Sequence, residues 1–293
     1  MTLDSIVTGR TNGGRLLFTA IAALSLTIIY APALYLLFAS LNPDEQLRLV
    51  APNRYSLTWY GALLDDHRLF GALEESVFIG LATAVLATPI GLSAALAYRA
   101  MTRMRNIFLL IILSAVFVPG TIEGLGLSVM LRFARVSPSW ATVTMGHLLW
   151  TLPFAATVSL LGLSAVKPNT IEAARDLGAS PMRAFVDVTL PLMRGSLISS
   201  FVFALLLSLN EHARAYYLVG RQNTLPLYMF GAMNSGVSPT IYAFSGAVIV
   251  LSFAAVALIF LGAAGRQSGG GDVRQIHRKP GAAGNRRFKR LRH

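Results

Sequence analysis

The sequence predicts an all-α membrane protein with six transmembrane helices. Three observations carry that expectation. Only 13% of the 293 residues are charged, about half the level of a soluble domain. The chain is 54% hydrophobic, with a mean hydropathy of +0.59. Uncharged runs also recur at lengths near the roughly 20 residues that a helix needs to cross hydrocarbon. Backbone polar groups find no water there, so such runs cross as helices.

The runs can be taken in order. Residues 16–41 form the first expected span. It follows Arg10 and Arg15 as a signal sequence would. Its apolar stretch is about twice the usual signal core, which favours a retained signal anchor. Residues 76–98 give the second span. The third covers 106–131 and carries one acid, Glu123, just after Pro119, a residue placed to break the helix. The fourth lies near 140–163 and contains His147. The fifth begins with the short, very apolar run 195–210, and the last lies near 241–261.

Charge placement adds orientation. Of the net +12, the stretch 266–293 supplies +8 from nine Lys/Arg and one Asp. No nucleic-acid-binding fold accompanies this charge, so no nucleic-acid partner is expected. The tail has few apolar residues and is expected to be disordered, lying against anionic lipid. With a cytoplasmic N-terminus, the inner segments hold eighteen Lys/Arg and the outer ones seven, Arg214 among them. That bias puts both termini in the cytoplasm. The expected organisation is a cytoplasmic N-terminus (1–15), a six-helix domain (16–265) with an inner loop (166–192), and the basic tail (266–293). The absence of cysteine excludes disulfides and thiolate metal sites. No phosphate-cradling G-x-x-x-x-G-K-[ST] motif occurs, so any nucleotide hydrolysis belongs to another chain.

The inner loop carries the most specific local signals. Asn169 with Glu172 three residues on has the form of a capping box. Residues 172–177 are good helix formers, and Gly178 can close that helix in the left-handed conformation. Ser180 can cap a following helix with Pro181 at its first position, and Leu190–Pro191 are expected to end it. Ile171, Ala174 and Leu177 or Gly178 share one face of the first short helix. A helix of two turns is not stable alone in water. Either the rest of the bundle or a partner protein holds it.

Glu172-Ala173-Ala174, Gly178 and Leu190-Pro191, with Val188 where Ile is common, resemble the EAA loop of ABC importer permeases. The resemblance implies a type I importer (MetI-like) permease fold. It also implies that Glu172, Ala173, Ala174, Gly178, Leu190 and Pro191 form a coupling element docking on a separate ATPase. Over residues 12–265 the chain is most similar to the second permease subunit of the spermidine/putrescine type. The stretches 147–154, 172–180, 207–211, 224–228 and 236–239 carry that likeness. Two departures are Asn210, where Asp is frequent, and Glu74–Glu75 before Ser76, where Asn-Ser is common.

The resemblance implies a bacterial inner-membrane subunit without catalytic residues, metal or cofactor of its own. Its implied partners are a second permease subunit, two ATPase subunits carrying ATP-Mg, an extracytoplasmic solute-binding protein and the lipid bilayer. A polyamine is the implied cargo, with a sugar, a phosphonate or a ferric ion as alternatives. A secondary transporter or channel using Glu123 and Glu211 as a relay is the rival from another class.

Ionisable residues at membrane depth point to function. Glu123 sits in Gly120-Thr-Ile-Glu-Gly124, a spacing that permits close contact. It either lines the solute path or bonds to neighbouring backbone. Asn210, Glu211 and His212, with Tyr216 and Tyr217, suit a polyamine through ion pairing and cation–π contact. They equally suit an outer-interface cap. His147 has no metal-ligand companion nearby and reads as a buried, hydrogen-bonded histidine. Asp65–Asp66 and Glu74–Glu75 read as solvated loop charges or docking contacts.

Overall fold

A computed structural model describes residues 12–268 except 46, 47, 222 and 237. The expectations for residues 1–11 and for most of the basic tail lie outside the described residues. The chain divides into two units, residues 1–60 with 239–293, and residues 61–238.

The second unit holds the main packing. Its long helices are α3 (His67–Ala100), α6 (Trp140–Ala165) and α8 (Pro181–Leu209). Asp66 starts α3, its Oδ1 accepting from the backbone N–H of Leu69 at 3.0 Å and of Arg68 at 3.2 Å. Its other oxygen accepts the Tyr228 hydroxyl at 2.8 Å. Asp66 is therefore a helix cap with a tertiary partner rather than a solvated loop charge. Partial burial, and then this hydrogen bond, hold the Tyr228 phenol above the ordinary tyrosine range. A reciprocal Ser139–Thr142 pair caps the start of α6.

The three long helices meet through small side chains. Ala84, Ala87, Ala155 and Ala204 form one fully buried cluster, flanked by Leu148, Leu152, Phe201 and Leu205. Gly91 of α3 lies directly on the α6 backbone. A Cβ there would stand 2.7 Å from the Ala155 carbonyl carbon and 2.8 Å from the Ala156 nitrogen. Lipid tails are as apolar as leucine, so helices in a bilayer are held by close packing of this kind rather than by expulsion of water.

The third expected span is broken. α4 (Arg105–Ser114) runs through a 3₁₀ turn (Ala115–Phe117) and turns by 99° into α5 (Gly120–Phe133). Val118 is extended at φ −82° and ψ 125°, where the following Pro119 pushes it. Unit two also holds α7 (Pro168–Asp176), α9 (Ala215–Leu218) and α10 (Leu225–Asn234).

The fifth span departs from expectation in the other direction. Leu190–Pro191 do not end a helix. α8 continues from Pro181 to Leu209, 29 residues without a stop. Residues Ala184–Thr189 adopt π-helical turns, with the Leu190 N–H bonded to the Phe185 carbonyl. A proline inside an α-helix removes one N–H and clashes with the carbonyl four residues back. A wider π turn immediately before Pro191 relieves that clash while the helix goes on.

The first unit contains α1 (Asn12–Ala39) and α11 (Pro239–Ser268), with α2 (Thr58–Leu64) at the unit boundary. Tyr30 of α1 meets Phe253 of α11 with ring centroids 5.8 Å apart. Ser40 shares a hydrogen bond with Tyr60 at 2.7 Å. Each of the six apolar runs falls on helix. α1, α3, α6 and α8 are each long and apolar enough to cross a membrane, and the α4–α5 pair qualifies as one bent unit. α11 runs 30 residues, Pro239–Ser268, and its sequence carries no charged residue before Arg266. The chain is an all-α, multi-pass membrane protein.

Two glycines on different surfaces test the packing argument. Gly91→Val should destabilise by about 1–3 kcal/mol, the usual cost of overpacking. Gly126, which has nothing near its Cβ position, should accept alanine with a gain of up to about 1 kcal/mol in helix propensity. Thermal midpoints of the detergent-solubilised protein should fall for the first variant and hold or rise for the second.

Candidate functional site

Two regions of the second unit carry the candidate residues. They lie at opposite ends of α8.

The first is a buried ion cluster just beyond Leu209. Glu211 and Arg214 stand in the irregular segment between α8 and α9, and Glu123 lies in the first turn of α5. Arg214 donates through Nε to Glu123 Oε2 at 2.6 Å and through Nη1 to Glu211 Oε2 at 2.8 Å. Its backbone N–H donates to Glu211 Oε1 at 3.0 Å. The guanidinium carbon also lies 4.8 Å from the centre of the Trp150 ring, within cation–π range. Arg214 is 3% exposed and Glu211 7%. Burying one charge without partners is very costly, so these three groups require one another.

Glycines make the room. A Cβ at Gly120 would meet Arg214 Nη1 at 2.7 Å, and one at Gly124 would meet the Arg214 Cα at 2.9 Å. The small-residue spacing around Glu123 thus admits the 211–217 segment. The lysine and arginine count assigns Arg214 to an outer segment, and the structure buries it. The available signals were the Glu211-x-x-Arg214 spacing and the glycines at 120 and 124.

The cluster brings together Glu123 and Glu211 of the predicted residues. It does not include Asn210, which is exposed and donates to the Leu206 carbonyl at 2.8 Å. Nor does it include Tyr216, which is 58% exposed with its ring against Tyr217. His147 is buried as expected. Its Nδ1 pairs with Ser208 Oγ at 2.6 Å, and Ser208 reaches Thr83 at 3.4 Å, linking α6, α8 and α3.

The second region is the loop through α7. Its start differs from the expected capping box. Lys167 is the cap residue and makes no side-chain bond, and Pro168 occupies the first turn. Proline is already set at helical φ and lacks the N–H that would need a partner. The helix end follows expectation. Gly178 adopts φ +90°. Its N–H bonds to the Arg175 carbonyl at 2.9 Å, and the Ala179 N–H bonds to the Ala174 carbonyl at 3.0 Å. This is a Schellman closure. Ser180 then caps α8, accepting the Arg183 N–H at 3.3 Å, with Pro181 at its first position.

One side of α7 is held by the bundle. Ile171 packs on the buried cluster of Ala95, Leu163, Val166 and Met193. The other side is free. Glu172, Ala173 and Gly178 are exposed, and Leu177 is 90% exposed. Ala174 and Leu190 are half-buried, and Pro191 is exposed. A cleft of about 360 Å³ opens beside α7, lined by Arg99, Ile171, Glu172, Arg175 and Phe185 among others.

Residues 87–267 match the family described as the binding-protein-dependent transport system inner membrane component. The chain belongs to that family. It is 31% identical over 248 residues to the putrescine transport system permease protein PotI of Escherichia coli K12, covering 80% of this chain and 88% of that protein. It is 27% identical to the spermidine/putrescine transport system permease protein PotC of Haemophilus influenzae, covering 78% and 90%. A bacterial alginate ABC transporter, solved in complex with an alginate-bound periplasmic protein, shares the fold. The TM-score is 0.61 at 14% identity, over 83% of this chain and 91% of that one. As an inner membrane component of this family, the chain is the permease subunit of an ABC importer and not an enzyme.

In this inner membrane component the ion cluster should behave as a unit. Arg214→Ala leaves two carboxylates facing each other and should cost about 3–5 kcal/mol. Adding Glu123→Gln to it should restore part of that loss. Thermal midpoints of the two single variants and the double variant check this. Additive losses would exclude the coupling.

Proposed function

We propose that this permease subunit forms the path for a polyamine, and that α7 with its glycine turn docks on a separate ATPase. The observation that carries the first part is chemical. Two carboxylates face one guanidinium beside an indole ring, leaving one formal negative charge unmatched. Such surroundings suit an organic cation. The relatives named for putrescine and spermidine transport support the same cargo.

The second part rests on the free face of α7. A leucine that is 90% exposed at the end of a short helix, beside Glu172, Ala173 and Gly178, forms a small surface suited to a protein partner. In this reading the coupling element spans residues 166–192, and Ala174, Leu190 and Pro191 support it. The partners are a second permease subunit, two ATPase subunits that hold ATP-Mg, and an extracytoplasmic binding protein. Both termini face the cytoplasm, in keeping with the lysine and arginine bias.

Coupling follows from continuity. Ile171 anchors α7 to the bundle core. α8 then runs unbroken for 29 residues, about 43 Å at the helical rise, to the residue before Asn210. A movement of the docked loop is carried along one rigid rod to the ion cluster. Partner binding that differs between two states then shifts their populations. Asn210 and Tyr216, exposed beside the cluster, are positioned to meet cargo before Glu123 and Glu211.

Cells carrying the whole importer test this reading by uptake of labelled putrescine. Glu172→Lys, Leu177→Asp and Gly178→Asp should each lower uptake at least tenfold at unchanged amounts of membrane-inserted protein. Co-purification of the ATPase should weaken in parallel. Wild-type uptake in all three would sink the coupling assignment. Failure of the wild-type importer to take up putrescine or spermidine would sink the cargo assignment.

A further inference from the structure

We infer that Arg214 is a tethered stand-in for the cargo, occupying the cation site formed by Glu123, Glu211 and Trp150 until an organic ammonium group displaces it. The inference rests on the polyamine reading above and adds a residue that sets when the site is open.

The guanidinium has all the contacts that a substrate ammonium group would seek. It is bonded to a carboxylate on each of two separate segments and lies on the face of an indole. It is a cation seated in a cation site, so the site's chemistry is read from its present occupant. Gly120 gives the seat its size, since even a Cβ there would collide with Arg214 Nη1. The charge count is also uneven. One guanidinium against two carboxylates leaves attraction for a second positive group.

The surrounding backbone allows exchange. Arg214 stands in the irregular segment after α8, not within a helix. Glu123 lies one turn from the 99° break at Pro119. Broken helices at membrane depth are tolerated where they line a cavity or a binding site. Here that break and the irregular segment after α8 converge on one ion cluster. His147, one turn from Trp150 on α6, is 1% exposed and its Nε2 has no partner. It is a second buried polar group beside the same wall.

The consequence is competition. With Arg214 seated, its hydrogen bonds fill the positions between the two carboxylates, and the one negative charge left over attracts a small inorganic cation only weakly. A diamine brings two ammonium groups. One can take the place of the guanidinium while the other remains with the exposed Tyr216. Arg214 thus acts as a positioning and selectivity residue.

The test uses the assembled importer in lipid nanodiscs, with 5-fluorotryptophan incorporated at position 150 alone. Fluorine resonance is followed during titration with putrescine, and separately with 1,4-butanediol, the neutral molecule of equal length. Both are run nucleotide-free and with a non-hydrolysable ATP analogue and Mg²⁺. Putrescine should shift the resonance saturably in at least one state, and the diol should not. In Arg214→Gln the midpoint should fall at least tenfold. In Glu123→Gln/Glu211→Gln the response should vanish. A resonance unmoved by putrescine in both states, or moved equally by the diol, overturns the inference. Should Arg214→Gln fail to assemble, the contrast between diamine and diol in the unsubstituted site decides alone. Putrescine uptake with a silent resonance removes the tethered cation and leaves the importer reading intact. A responding resonance without uptake keeps the cation site and removes the cargo assignment.

Discussion

A polar group taken away from water needs a partner inside the protein, and the architecture follows from how each such group finds one. In the long helices the backbone satisfies itself. Where the backbone breaks, side chains take over. The α4–α5 bend brings Glu123 to the start of a helix, and the segment after α8 brings Glu211 and Arg214 to meet it. The three charges satisfy one another where a helix break and a helix end meet.

The second requirement is close approach. Alanine and glycine at the crossings of α3, α6 and α8 let these helices touch nearly backbone to backbone. Tight packing has few intermediate arrangements, so such a core moves as a body. This connects the two candidate regions. α7 is fastened to the core by Ile171, and α8 leaves the loop and reaches the ion cluster without interruption. The π-helical turns before Pro191 make that continuity possible. A proline that would stop the rod is absorbed one turn earlier.

Particular residues show how far the sequence could be read. The six apolar runs were legible because hydropathy is a property of each run by itself. Gly178 was legible because only glycine accepts φ +90° without strain, and Ser180–Pro181 because capping is local. Asn169 misled because two starting signals stood side by side, and the proline at 168 set the first turn. Leu190–Pro191 misled because a proline reads as a stop, and the alternative π geometry leaves no mark in composition. Arg214 misled because a charge between two apolar runs looks the same whether it faces solvent or an acid 91 positions earlier.

The amino-acid sequence by itself determined the class of the protein, the apolar runs that lie on its helices and the glycine turn of its inner loop. Each depends on residues within a few turns of one another. Only the tertiary structure decided that Glu123 and Glu211 share one guanidinium, that α7 shows Leu177 outward and Ile171 inward, and that α8 joins both regions. Those outcomes depend on which distant segments meet. Burial turns such a meeting into an obligation, because a charge removed from water must be matched by whatever the fold places beside it.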